Sequence, residues 1–235
     1  MKLILVDPNP SLCREWRTEF RDCPEVRVHE GYFQDLQKDG WDCLVSAANS
    51  FGLMDGGVDG AITAFFGNDL QKRVQRTIAK RWRGEQPIGT SFIARTHHQE
   101  FPYLAHTPTM RVPEDISQTD NVYYAMRAML LTVEQFNENV VTNARGTLRV
   151  LPRGYGHPDV IHTIVCPGLG TGTGKVSPYK AARQMWAAYY SVYKDDPMPT
   201  DQEDLWDRAK GRHDLVRGKM DLSQLMINER RKVAA

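Results

Sequence analysis

Three observations predict an α/β protein of three layers, with a central mixed and mainly parallel sheet between helices. Short apolar runs of strand length alternate with longer stretches of helical periodicity along most of the chain. Two of those runs, ending near Asn49 and Pro167, pass directly into glycine-rich turns and then into helices. At 235 residues, 41% hydrophobic and 25% charged, the chain can also bury the core of one sizeable domain. Open α/β sheets take ligands at the carboxyl ends of their strands, so the two turns are where chemistry is expected.

The elements follow in order. Lys2 to Val6 reads as a short buried strand closed by Asp7-Pro8-Asn9-Pro10, and Ser11 is expected to cap a helix carrying Leu12, Trp16 and Phe20 at fourfold spacing. Val26 and Val28 alternate as a second strand, which turns out through Gly31-Tyr32-Phe33. Leu44, Val45, Ala47 and Ala48 end a third. Ala61 to Trp82 reads as one long helix with basic residues collecting towards its C-terminal end, where they complement the helix dipole.

Ser91 to Ala94 and Tyr103 to His106 read as two strands joined by the polar turn His97-His98-Gln99-Glu100. Neighbouring histidines on a strand face opposite ways and no cysteine or carboxylate set lies near, which argues against a metal site. His106 reads as a buried structural histidine. Asp120 to Asn139 is a helix with Asp120 as its cap, and a loose segment rich in Gly, Pro and Arg leads to the buried strand Ile161 to Cys166. Pro178 to Tyr193 is the next helix, with proline in its first turn.

From Asp195 the composition becomes charged and broken by Pro197, Pro199, Gly211 and Gly218. Residues 1–194 are therefore expected to form the domain, and 195–235 a charged, solvated extension. Leu205, Trp206, Leu215, Leu222, Leu225 and Met226 could dock short helices, while Arg230 to Ala235 should fray.

Thirty basic residues against 29 acidic ones leave a formal charge of +1, so no general affinity for nucleic acid is expected and phosphate recognition must be local. The four cysteines lie scattered without a C-x-x-C pair, and no apolar run approaches the ~18 residues of a membrane span. The expectation is a reduced, cytoplasmic protein with no membrane partner, metal or cofactor.

The first glycine turn belongs to the run Leu44 to Ile62, LVSAANSFGLMDGGVDGAI. Asn49 and Ser50 bring amide and hydroxyl groups to the strand end. Gly56 and Gly57 open the backbone to a ligand, and the following helix offers unpaired N–H groups to an anion. The second turn, Gly168-Leu169-Gly170-Thr171-Gly172-Thr173-Gly174-Lys175, fails the two nucleotide fingerprints it invites. A Walker A frame meets Val176 after its lysine, and a G-x-G-x-x-G frame meets Thr173 or Lys175 in place of its third glycine. What remains is a nest of N–H groups with threonine hydroxyls, sized for phosphate.

The first run resembles the macrodomain family, whose loop reads Asn-Ala-Ala-Asn, a short gap, a glycine run, then Val-Asp-Gly-Ala-Ile. Ala47, Ala48 and Asn49, then Gly56 to Ile62, match it, with Ser46 in place of the first asparagine. Pro167 to Gly172 is similar to the family's loop around the pyrophosphate and distal ribose. The resemblance covers about Lys2 to Lys194. It implies a macrodomain-like fold and an ADP-ribose site, with ligand contacts from Tyr32, Phe33, Ala48, Ser50, Gly56, Gly57, Val58 and the residues Gly168 to Gly174.

It also implies that Asn49 holds the distal ribose and Asp59 positions or activates water. The expected activity is hydrolysis of an ADP-ribose derivative, removing ADP-ribose from a modified macromolecule. The alternatives are phosphatase action on ADP-ribose 1''-phosphate and a non-catalytic ADP-ribose reader. Three positions depart from the family: Tyr32 stands for the aspartate that reads the adenine amino group, Thr63 for a histidine common in hydrolytic members, and Thr173-Gly174 for a ribose-closing aromatic. Taken without the resemblance, Asp59 reads equally as a cap for the helix at Ala61.

Overall fold

The computed structural model describes residues 1–143, 160–195, 201–221 and 224. Six strands form one sheet in the order β2-β1-β6-β3-β5-β4 among the described residues. They are β1 (Lys2–Asp7), β2 (Val26–Glu30), β3 (Cys43–Asn49), β4 (Phe92–Arg95), β5 (Tyr103–Met110) and β6 (Thr163–Pro167). Every neighbouring pair is parallel except β4 with β5, so the sheet is mixed as expected. The helices are α1 (Pro10–Glu19), α2 (Gly57–Phe66), α3 (Asp69–Trp82), α4 (Asn121–Asn143), α5 (Pro178–Tyr193) and α6 (Gln202–Val216).

Strand alternation builds two cores. Leu3 and Leu5 of β1, Cys43 and Val45 of β3 and Ile164 and Cys166 of β6 face the layer of α1, α4 and α5. Ile4, Val6, Leu44 and Val165 face the other way, with Ile62 of α2 and Leu70, Val74 and Ile78 of α3. Residues one apart thus enter different cores, which is why these strands read as continuous apolar runs. The last strand in the chain, β6, enters the slot between β1 and β3. Its register pairs Val6 with Pro167, while β3 pairs Asn49 with Met110 and β1 pairs Asp7 with Glu30. Five strands therefore end on one edge of the sheet, with β3 and β5 running beyond the end of β6, and an irregularity between Ala48 and Asn49 re-aims the chain there.

Four details differ from the sequence reading. The first helix is capped by Asn9, whose Oδ1 accepts from the Ser11 N–H at 2.9 Å, because Pro10 takes the first helical position. The long helix expected over Ala61 to Trp82 is two: α2 starts earlier, at Gly57, and Gly67 at φ 88° ends it before α3 begins at Asp69. The break turns Phe65 onto Phe33 and Phe66 onto Trp41. β5 runs past His106 to Met110 and contains Pro108, tolerated because β4 pairs only as far as His106 and leaves that edge free.

Asp120 does not cap through its carboxylate, which accepts from Gln184 Nε2 and Arg217 instead. Those contacts help explain the C-terminal segment. Expected to be solvated, residues 201–221 dock on the body: α6 buries Leu215 and Val216, Arg183 donates to the Leu215 and Met220 carbonyls, and Arg208 and Arg212 pair with Asp195. The expectations for the Gly/Pro/Arg-rich segment around 144–159, for Pro197 and Pro199, and for Leu222, Leu225, Met226 and 230–235 fall outside the described residues. No helix among the described residues is long and apolar enough to cross a membrane.

Candidate functional site

These strand ends border a cavity of about 570 Å³. On its β3 side, Asn49, Asp55, Gly56, Gly57, Val58 and Asp59 form the wall. Gly56 is extended and Gly57 takes φ 54°, a turn that only glycine enters freely, so that the first N–H groups of α2 lie beside the cavity. On the β6 side stand Gly168, Gly170 to Gly174 and Pro167. Gly170, at φ 71°, accepts from the Val176 N–H, Gly172 from Lys175 and Gly174 from Ile116. Those three carbonyls are thus engaged by the protein itself, and the loop presents its remaining main chain and Thr171 and Thr173 to the cavity.

Asp59 is the third residue of α2, with Gly56 as N-cap, so the capping role is excluded. Its side chain folds back to the sheet, where Ser46 Oγ donates to Oδ1 at 2.7 Å and both residues are buried. Burial pushes the Asp59 carboxyl up to about 7; the Ser46 hydrogen bond lowers it and the charge of Asp55 raises it further. A buried carboxyl with this balance changes protonation near neutrality, as a general base requires.

Asn49 has a role that the sequence did not announce. Its Oδ1 accepts from the N–H groups of Phe51 and Leu53 at 3.1 and 3.3 Å, and its Nδ2 donates to the Leu53 carbonyl at 2.8 Å. The amide therefore ties its own loop shut and keeps one N–H for a ligand. Thr63, where hydrolytic macrodomains often have histidine, donates to the Met54 carbonyl at 2.8 Å and holds the same loop to α2.

The remaining wall comes from β1 and β2. Tyr32 is 61% exposed at the cavity rim, whereas Phe33 is buried edge-on against Phe65, reaching the cavity without a free face for stacking. Gln34 lies beside them, its Oε1 buried without a hydrogen-bond partner. Asp7 Oδ1 accepts from the Asn9 N–H at 2.9 Å, and burial raises its carboxyl against the effect of that bond and one from the Gly168 backbone.

Most of the expected ligand residues, Ala48 among them, do come together here. Two do not. Ser50 is buried behind the loop, its N–H on the Met110 and Arg111 carbonyls, and Leu169 points into the core. In a glycine loop, the apolar residue between glycines is the one that anchors the loop from behind. The sequence reading missed Asp55 and Gln34, together with Thr109 and Met110 from the extended end of β5. Only a correct end for β5 would have found the last two.

His106 sits elsewhere, wholly buried, with Nδ1 2.8 Å from Gln86 Oε1 and its acidity shifted by burial to about 3. It is a neutral structural group. The four cysteines are free and buried, and no group of three or more His, Cys, Asp or Glu able to hold a metal occurs among the described residues.

The profile of the Macro domain matches residues 45–185, more than half of the chain and both glycine loops. An uncharacterized protein of Aquifex aeolicus is 25% identical over 161 residues, covering 68% of this chain and 78% of its own. Among solved structures, the macrodomain of Mycobacterium tuberculosis DarG superposes with a TM-score of 0.47 at 16% identity over 69% of this chain and 90% of that one. The Oceanobacillus iheyensis macrodomain with ADP gives 0.49 at 19%, over 79% and 90%.

Proposed function

Since this chain belongs to the Macro domain family, we propose that its cavity binds ADP-ribose and that it hydrolyses an ADP-ribose derivative, releasing ADP-ribose from a modified macromolecule. The observation that carries this reading is Asp59: a buried carboxyl, held by Ser46, balanced near pH 7 and set in the wall of a cavity lined by main-chain donors. The diphosphate lies between the α2 N-terminus and the Gly168 loop, where N–H groups compensate its charge without counter-ions.

The distal ribose then lies towards Asn49 and Asp59. Ionised Asp59 takes a proton from a water whose oxygen forms the new bond at the linkage carbon. The old bond breaks with its electron pair on the leaving group, which recovers the proton. Asn49 keeps the loop closed and turns its remaining N–H to the ribose. A non-catalytic reader is the second reading, favoured by Thr63, whose hydroxyl is committed to Met54 and offers no acid or base to the cavity.

One experiment tests both. ADP-ribose at ~100 times Kd should stabilise the fold by about 2.7 kcal/mol, a melting shift of roughly 5 to 11 °C. Release of ADP-ribose is then followed in parallel from modified glutamate, modified nucleic acid and the 1''-phosphate. A shift with no release on any substrate establishes the reader; no shift at millimolar ADP-ribose removes the ligand assignment itself.

A further inference from the structure

The formal charge of +1 hides a strong asymmetry. Residues 69–85, which comprise α3 and its exit, hold six basic and two acidic residues, a net of +4, so the rest of the chain carries −3. Lys72, Arg76, Lys80 and Arg83 fall at intervals of four, four and three and are all exposed. Lys72, Arg76 and Lys80 form one stripe ~12 Å long on α3, and Arg83, the helix's C-cap at φ 56°, follows at its end.

Two folding explanations fail for this stripe. Ion pairing is the first: it accounts for Arg27 with Asp39, Arg111 with Glu85, Arg183 with Glu19 and Lys194 with Glu25. In the stripe only Lys72 has such a partner, Asp69 at 3.1 Å, and among the described residues Arg76, Lys80 and Arg83 have none. The second is the helix dipole, which favours Lys80 at the C-terminal turn but gives no reason for Lys72 and Arg76 further back. Like charges at these spacings repel one another, so the stripe works against the helix that carries it.

The stripe also has a position. Gln71 Oε1 accepts from the Met54 N–H at 2.7 Å, and a Cβ on Gly52 would meet Val74 and Ile78 at 2.9 Å, so α3 backs directly on the loop that leads to Asp55 and Asp59. Arg73, beside it, docks its guanidinium on the Arg95 and Thr96 carbonyls and braces α3 against β4.

We infer that the Lys72–Arg76–Lys80 face of α3, with Arg83 at its C-terminal cap, binds the sugar–phosphate backbone of a nucleic acid. The inference stands on the charge pattern and is independent of the function proposed above. Regularly spaced guanidinium and ammonium groups match a chain of phosphates, in which every repeat presents a charge. No base-reading element accompanies them, so the contact is independent of sequence.

The test is anisotropy of a short fluorescein-labelled oligodeoxynucleotide, single-stranded and duplex, against the whole protein over a salt series. Wild type should bind, with a log–log salt slope of about −3. Combined Lys72→Gln, Arg76→Gln, Lys80→Gln and Arg83→Gln should weaken binding at low salt about tenfold or more and flatten the slope. Arg17→Gln with Arg27→Gln, which removes paired cations instead, should leave it unchanged. The ADP-ribose melting shift, measured on the same proteins, should not move.

Oligonucleotide binding lost in the stripe variant beside an intact ADP-ribose shift establishes the surface. Binding by a protein that ignores ADP-ribose keeps the surface and removes the proposed function. Absent or salt-independent binding overturns the inference, as does equal loss in the Arg17/Arg27 protein. Competition by polyglutamate as strong as by unlabelled oligonucleotide also overturns it, in favour of an acidic protein partner.

Discussion

The two sides of the cavity are built on different principles. On the β3 and β6 side the cavity faces main chain: the glycines of two loops, the N-terminus of α2, and one carboxyl delivered by a helix and held by a strand. On the β1 and β2 side it faces side chains, namely the exposed ring of Tyr32, the amide of Gln34 and the partly engaged carboxyl of Asp7. Main-chain recognition restricts sequence tightly, because only glycine lets a ligand approach so closely. Side-chain recognition can be supplied by many residues at many positions. The first side keeps the glycines and Asp59 of its family's spelling while departing at Ser46, Thr63 and Thr173-Gly174, and the second departs at Tyr32.

The largest effect belongs to Asp59. Asp59→Asn keeps the shape and removes the base, so ADP-ribose affinity should stay within a few-fold while kcat falls by about 10² to 10⁴. Unchanged turnover would exclude the catalytic role. The acidity of Asp59 adds a second handle. With kcat/KM dependent on its ionised form, the rate should rise with pH through about 7. Ser46→Ala, which deletes the one hydrogen bond that favours ionisation, should move that rise to higher pH.

Stability should run oppositely. A carboxyl raised in the folded state contributes stability in full below its ordinary value of 3.8 and loses it as pH climbs through about 7. Melting temperature against pH should show that fall in wild type and less of it in Asp59→Asn.

The second effect separates glycines that shape the loop from glycines that admit the ligand. A Cβ at position 174 would lie 2.5 Å from the Gly170 carbonyl oxygen and 2.7 Å from Ile116, so Gly174→Ala should destabilise the fold by about 1 to 3 kcal/mol. At Gly172 a Cβ meets nothing within 4 Å. Gly172→Ala should melt like wild type yet bind ADP-ribose about tenfold less well, a loss of ~1.4 kcal/mol. If Gly172→Ala binds normally, the phosphates do not approach the β6 loop there.

The sequence made the main-chain side legible for a physical reason. A buried strand, a glycine run and an amphipathic helix are local patterns, so the positions of Asn49, Gly56 to Asp59 and Gly168 to Gly174 could be read in one pass. What could not be read depended on non-local facts. The partnership of Ser46 with Asp59 joins a strand to a helix thirteen residues on, and nothing in either segment announces it. The end of β5 at Met110 depends on β4 stopping short. The break at Gly67 was legible in principle, since Gly67-Asn68-Asp69 stops one helix and opens another, but continuous apolar spacing on both sides masked it.

The smallest effect tests the side-chain wall. With Tyr32 where the family keeps an aspartate, an adenine amino group meets no carboxylate from the β2 turn. The nearby Asp35 does not supply one, for its Oδ2 accepts from the Tyr32 N–H at 2.8 Å and it does not line the cavity. The Gln34 oxygen is buried without a hydrogen-bond partner. An analogue without the amino group therefore leaves it no worse satisfied than before, and strong rejection requires a polar group newly stranded by the wrong ligand. Calorimetry should accordingly find ADP-ribose preferred over its inosine analogue by less than about a hundredfold. A larger preference would mean that a carboxylate reads the base after all. Asp7 would be that group, and Asp7→Asn should then abolish the preference while leaving the Asp59-dependent rate in place.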